Sequence, residues 1–142
     1  MARLLTVDGL STEFKTERGI VKAVNNVSYN VDEGEVIGIV GESGCGKSVS
    51  QMSIMQLIPS PPGKVVAGSA VFNGVDLLKL GRQSKEMCAI RGRDIAMIFQ
   101  EPMTSLNPAI TICKQMAEVL MLHLKMDKKE AREKVIDMLR CV

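Results

Sequence analysis

Gly41, Glu42, Ser43, Gly44, Cys45, Gly46, Lys47 and Ser48 make up a complete G-x-x-x-x-G-K-S set, directly after the apolar run Val36-Ile37-Gly38-Ile39-Val40. These residue types at this spacing suit one task, the gripping of a chain of phosphates. Glycine reaches positive φ without a Cβ clash, so a loop carrying Gly41, Gly44 and Gly46 can turn successive backbone N–H groups inward as a ring of donors. A helix starting at the loop adds free N–H groups and the positive end of its dipole, so a triphosphate is held by hydrogen bonds and by field together. Lys47 supplies a mobile ammonium group for the β- and γ-phosphates, and the Ser48 hydroxyl is placed to ligate a magnesium ion bridging them.

Such a loop needs a strand before it and a helix after it. Residues 36–40 read as a buried strand, short, apolar and bounded by turn residues. Residues 46–58 read as a helix whose Val49, Met52, Met55 and Ile58 recur every three positions for packing on a sheet, and Pro59-Ser60-Pro61-Pro62-Gly63 must end it. Upstream, β-rich pieces at residues 4–7, 21–24 and 27–31 alternate with the turns Thr16-Glu17-Arg18-Gly19 and Asp32-Glu33-Gly34, which predicts antiparallel strands. Downstream, residues 65–72 read as a strand, Asn73-Gly74 as a tight turn, residues 84–91 as a short helix and residues 95–99 as another buried strand. The proline-broken stretch from Gln100 to Pro108 leads into helices at about 112–124 and 128–139. Asp127 and Glu130 form a capping box for the second of these. The charge run over residues 125–134 is then a solvated helix face, with Ala131, Val135, Met138 and Leu139 as the buried stripe.

At 142 residues, 46% hydrophobic and 24% charged, the composition is that of one soluble globular domain. A net charge of +2 from 18 basic and 16 acidic residues spread along the chain gives no footprint of a nucleic-acid partner. The apolar stretch before Asp8 is too short for a signal peptide, and no run approaches the roughly 20 residues of a membrane span, so the reading puts the protein in the cytoplasm. Cys45, Cys88, Cys113 and Cys141 lack the C-x-x-C pairing of a zinc or redox site and are read as reduced thiols. The ten methionines and lone His123 read as core filler and helix surface.

Two further segments carry a resemblance. Many phosphate-loop proteins have a second apolar strand ending in an aspartate that holds magnesium, whereas residues 95–99 run into Gln100. With Phe14 ahead of the loop, this resembles the ATP-binding subunits of ABC transporters, in which an aromatic ring stacks on adenine and a glutamine contacts magnesium and the attacking water. Phe14 sits where that family often has tyrosine, keeping the stacking face without the hydroxyl. The stretch Phe99-Gln100-Glu101-Pro102-Met103-Thr104-Ser105-Leu106-Asn107-Pro108, with Gly41-Glu42-Ser43-Gly44 before it, is similar to the oligopeptide, dipeptide and nickel importer branch. The resemblance implies a truncated α/β P-loop fold of ABC ATPase type, an antiparallel β part with parallel core strands over residues 1–100 and the start of a helical subdomain over residues 101–142. It also implies binding of ATP and Mg2+, a permease docked through residues 100–108, a second ATP-binding subunit, and a peripheral position on the inner face of the membrane.

The family's signature, its catalytic glutamate and its switch histidine match nothing in this sequence, so no residue is assigned a catalytic role and Glu42, Glu101 and His123 are not promoted to one. The sequence looks like the front half of an ATPase. Turnover by this polypeptide alone is expected to be negligible, and uncovered apolar sheet surface is expected to make it marginally stable or prone to associate. A small kinase or GTPase would need an aspartate after a buried strand, and Asp76 follows a run broken by Asn73-Gly74. A soluble ABC protein acting on ribosomes or DNA would need basic patches, and none is visible.

Overall fold

The computed structural model describes residues 2–100 and 105–142, and the chain divides into two compact units after Met87. In the first unit, β1 (Arg3–Thr16) and β2 (Gly19–Asp32) form a long antiparallel hairpin, β3 (Gly63–Phe72) pairs antiparallel with β1, and β4 (Val75–Asp76) pairs with the end of β3. The strand order is β2-β1-β3-β4. The Glu17-Arg18 turn closes the hairpin where sequence predicts it, with Thr16 Oγ1 donating to Gly19 O at 2.8 Å. Asn73 and Gly74 take φ of 46° and 80°, the doubly left-handed turn whose twist suits a two-residue β-hairpin.

The buried residues of β1 are Val7, Leu10 and Thr12, a spacing that strict alternation would not allow. A register shift between Val7 and Leu10 resets the alternation and returns all three to one face. Across it Gly68 sits at φ +98°, where a Cβ would stand 2.6 Å from the Leu10 backbone nitrogen, so only glycine lets β3 pass this close.

The first helix, α1 (Lys47–Ile54), packs on β1 and β2 and is shorter than residues 46–58. Its buried line is also rotated from the expected one. Met55 and Ile58, just beyond the helix, are buried, but Ser50, Ser53 and Ile54 replace Val49 and Met52 within it. The reason is a hydroxyl relay: Ser53 Oγ donates to Val49 O at 2.7 Å, which leaves Ser53 Oγ to accept from Thr12 Oγ1, also at 2.7 Å. Tyr29 Oη adds a second tie from β2 to α1, donating to Gln51 Oε1 at 3.3 Å, and burial pushes its phenol pKa up against the opposing pull of that bond. Among the described residues, no buried side-chain nitrogen or oxygen lacks a partner.

A 3-10 turn (Leu77–Lys79) follows β4, and α2 (Lys85–Ile90) lies at the junction of the two units in the chain. In the second unit, α3 (Ile112–Leu124) and α4 (Lys128–Arg140) form a hairpin around Ala117, Ala131 and Val135, with Cys113, Met116, Leu120 and Met126 packed against them. The capping box is present in both directions: Asp127 accepts from Lys129 N and Glu130 N at 2.7 and 2.9 Å, and Glu130 accepts from Asp127 N at 3.1 Å. Met138 and Leu139 are each 46% exposed, so the buried stripe of α4 is narrower than sequence suggests. His123 is half-buried, its Nε2 3.0 Å from where a Cβ on Gly92 would stand, and so packs on a turn rather than lying free on the helix surface.

The two expected parallel strands differ most from expectation. Among the described residues, 36–40 and 96–99 join no sheet, and the ladder contact near them is a parallel bridge between Arg91 and Ile95. Val36 and Val40 are 96% and 93% exposed and Ile98 is 96% exposed, so neither run is a buried strand. A parallel strand is stable only between neighbours that take up its N–H and C=O groups, and no described residue supplies them here.

Ser53→Ala strands the buried Thr12 hydroxyl and is expected to cost about 1–3 kcal/mol in urea unfolding, while adding Thr12→Val recovers part of the loss. An equal or larger cost in the double variant would contradict the relay.

Candidate functional site

The glycine-rich loop and α1 meet at Gly46, which caps the helix at φ +93° with no side chain taking up the first-turn N–H groups. A Cβ at Gly46 would collide with Ala23 O on β2, so this residue must be glycine on two counts, conformation and space. The helix begins cleanly, since Ser50 N donates to Gly46 O at 2.8 Å. The amides ahead of Ser50 have no partner within the helix and converge beside the loop with the positive end of the dipole.

Lys47 lies across the mouth of the loop. Its Nζ donates to Gly41 O at 2.7 Å and Glu42 O at 2.6 Å, with Cys45 Sγ at 3.5 Å. The ammonium group is therefore held by main-chain carbonyls that a phosphate oxygen could replace as partners. Gly44 turns the loop at φ +80°, Cys45 N donates back to Glu42 O at 3.3 Å, and Ser43, Cys45 and Ser48 are exposed. Ser48 occupies the first turn of α1, next to Lys47. All eight residues from Gly41 to Ser48 are thus gathered at one helix end.

Phe14 is placed differently. It pairs with Val21 and Gly63 within the sheet, and its ring covers Gly63, whose added Cβ would stand 2.8 Å from Phe14 Cε1. It is not among the residues lining the cavity of about 720 Å³ that opens between β2, residues 37–40 and Cys45, Gly46 and Lys47. Gln100 belongs to the second unit, at the end of the extended run 96–99. Of the proposed docking stretch, Glu101, Pro102, Met103 and Thr104 lie outside the described residues. Its far end is anchored by a residue that sequence reading passes over: Gln115 on α3 accepts from Asn107 N at 3.0 Å and donates to Asn107 O at 2.9 Å and Ile110 O at 2.7 Å. The Asn-Pro turn before a helix is the only sequence signal for that clamp.

A glycine-rich loop pinned to a β-strand, opening into an uncapped helix with lysine and serine at its first positions, defines a phosphate-loop nucleotide-binding protein. The ABC transporter family model matches residues 24–141, and the chain belongs to that family. It is 47% identical over 142 residues to the oligopeptide transport ATP-binding protein OppD of Bacillus subtilis (strain 168), covering 100% of this chain and 39% of the relative. It is 49% identical over 142 residues to the dipeptide transport ATP-binding protein DppD of the same organism, covering 100% and 42%, and 48% identical over 139 residues to DppD of Escherichia coli (strain K12), covering 98% and 42%. The chain therefore spans about two fifths of the length of the curated relatives it matches. Among solved structures, the dimeric bacterial ABC transporter cassette MJ0796 superposes with a TM-score of 0.78 at 26% identity, covering 96% of this chain and 56% of that one. A post-hydrolysis dimer of MJ0796 bound to ADP and Pi gives 0.77 at 24% identity, again over 96% and 56%. The fold is thus the P-loop fold of the ABC ATPases.

Gly44→Ala, with open space around its Cβ, is expected to cost about 1–2 kcal/mol from φ alone. Gly46→Ala must also displace β2 and is expected to cost more, as thermal unfolding of the two variants side by side will show.

Proposed function

We propose that this chain binds Mg-ATP as the N-terminal portion of the nucleotide-binding domain of an ABC importer for dipeptides or oligopeptides, with nickel the neighbouring substrate class. The observation that carries the reading is the convergence of the uncapped start of α1, the left-handed Gly44 and Gly46, and the Lys47 ammonium on one point. Phosphates are the ligand such a point suits, because it offers donors and positive field but no carboxylate of its own apart from the exposed Glu42.

On this reading, Gly41, Glu42, Ser43, Gly44, Cys45 and Gly46 wrap the phosphates with main-chain N–H groups. Lys47 exchanges its two loop carbonyls for β- and γ-phosphate oxygens, so its positioning cost is partly met before nucleotide arrives. Ser48 and Gln100 are the residues that would hold a magnesium ion bound with the nucleotide. Such an ion would supply positive charge against the phosphates. Phe14 offers a half-exposed ring for adenine. Residues 1–100 then serve as β part and phosphate-loop core, and residues 101–142 as the start of the helical subdomain.

Two partners follow. Residues 100–108 meet a membrane-embedded permease, and a second ATP-binding subunit completes the nucleotide sandwich, so that the complete protein couples ATP hydrolysis to transport. No helix among the described residues is long and apolar enough to cross a membrane, which suits a subunit held peripherally on the cytoplasmic face by its permease. The relatives, oligopeptide and dipeptide transport ATP-binding proteins, support the substrate class.

Lys47→Ala is expected to weaken Mg-ATP binding at least about tenfold by calorimetry while leaving circular dichroism unchanged. Unaltered affinity would overturn the assignment. Alkylation of the exposed Cys45 thiol is expected to slow when Mg-ATP is present, and an unchanged labelling rate would place the nucleotide elsewhere.

A further inference from the structure

An asparagine side chain can be attacked by the main-chain nitrogen of the residue that follows it, with loss of ammonia, wherever that nitrogen is free and unhindered. The chain holds Asn25, Asn26, Asn30, Asn73 and Asn107. Four of them are guarded. The nitrogen that would attack Asn25 is that of Asn26, which donates to Ser11 Oγ at 3.0 Å. Asn26 and Asn30 are each followed by a β-branched valine inside the β1–β2 ladder, where Val27 pairs with Leu10 and Val31 with Leu5. Asn107 precedes Pro108, whose nitrogen carries no hydrogen.

Asn73 has none of these guards. It is followed by Gly74, both residues are exposed, and a Cβ at Gly74 would meet nothing within 4 Å. Asn73 N donates to Leu4 O at 3.1 Å, but among the described residues neither the Asn73 side-chain amide nor Gly74 N has a partner. The turn is also lightly clasped. Strand β4 meets β3 at two pairs only, Val71 with Asp76 and Phe72 with Val75, so a local opening releases the Asn73 backbone from its left-handed conformation and lets Gly74 N approach Asn73 Cγ.

We propose that Asn73 is a site of spontaneous covalent modification, closing with Gly74 to a succinimide that water reopens to aspartate or isoaspartate. In the first step the bond from Gly74 N to Asn73 Cγ forms, the Cγ–Nδ2 bond breaks, and ammonia leaves with the proton that Gly74 N gives up. Water then adds at one of the two ring carbonyls. Addition at Cγ restores the original peptide link and leaves an ordinary aspartate, whereas addition at the main-chain carbonyl leaves the chain running through Cγ, one carbon longer. No oxidant or other reactant is needed.

The two products act differently on the fold. Aspartate before glycine suits the same left-handed turn as asparagine. Isoaspartate lengthens a loop that must close in two residues, so the pairs of β4 are lost, and with them the hold on the buried Phe72 and Leu77 at either end of the hairpin.

The test incubates the full chain, folded and in urea, at mildly alkaline pH, and maps its peptides by mass spectrometry that tells isoaspartate from aspartate. Conversion is expected at Asn73 while Asn25, Asn26, Asn30 and Asn107 keep their amides, and the folded chain is expected to react within about tenfold of the rate in urea. The isolated isoaspartyl fraction is expected to melt at least about 3 °C below an Asn73→Asp variant, which should melt with the parent. An Asn73 amide that survives in the folded chain after the urea sample has converted, earlier conversion of another asparagine, or an isoaspartyl fraction that melts with Asn73→Asp would each overturn the proposal.

Discussion

The close approach of Gly46 to Ala23 is the contact on which the site depends. It presses the start of α1 against β2, so the helix can begin only at a residue with no Cβ and a left-handed backbone. That entry leaves the first-turn amides without a side-chain cap, and an uncapped N-terminus is ordinarily a defect. On the proposed reading, the defect is what receives the phosphates. Thr12, Ser53, Tyr29 and Gln51 then stop the helix from sliding along the sheet, so the direction in which its amides point is set by groups remote from the loop.

Electrostatics act on the same point. Lys47 is the only cation within the loop, and its ammonium is partnered by two main-chain carbonyls rather than by a carboxylate. A carboxylate partner would have to be displaced at a large desolvation cost before an anion could take its place. Neutral carbonyls stay solvated after release, so the lysine is held in register without being neutralised.

Features that depend on residues near one another in the chain were legible in the sequence. The Asn73-Gly74 turn, the Asp127 and Glu130 capping box and the start of α3 at Ile112 follow from local chemistry, and the loop itself is contiguous. Features that depend on distant neighbours were not. Residues 36–40 and 95–99 have strand composition, yet strand formation needs partners that composition does not reveal. The buried line of α1 runs through Ser50 and Ser53, which a hydropathy stripe skips because it does not show that their hydroxyls are satisfied by Thr12, Gln51 and backbone carbonyls. In the site, the positions of Phe14 and Gln100 are tertiary matters; Phe14 rests on Gly63, a residue with no side chain to announce the contact.

The antiparallel sheet forms its strand pairs between Arg3 and Asp76 using hairpins and one return strand. During synthesis this region is made before α3 and α4, and its local β1–β2 hairpin pairing forms early. The valine-rich run ahead of the phosphate loop then waits on the surface of a structured nascent chain, where a holdase chaperone would find an extended hydrophobic ligand already presented.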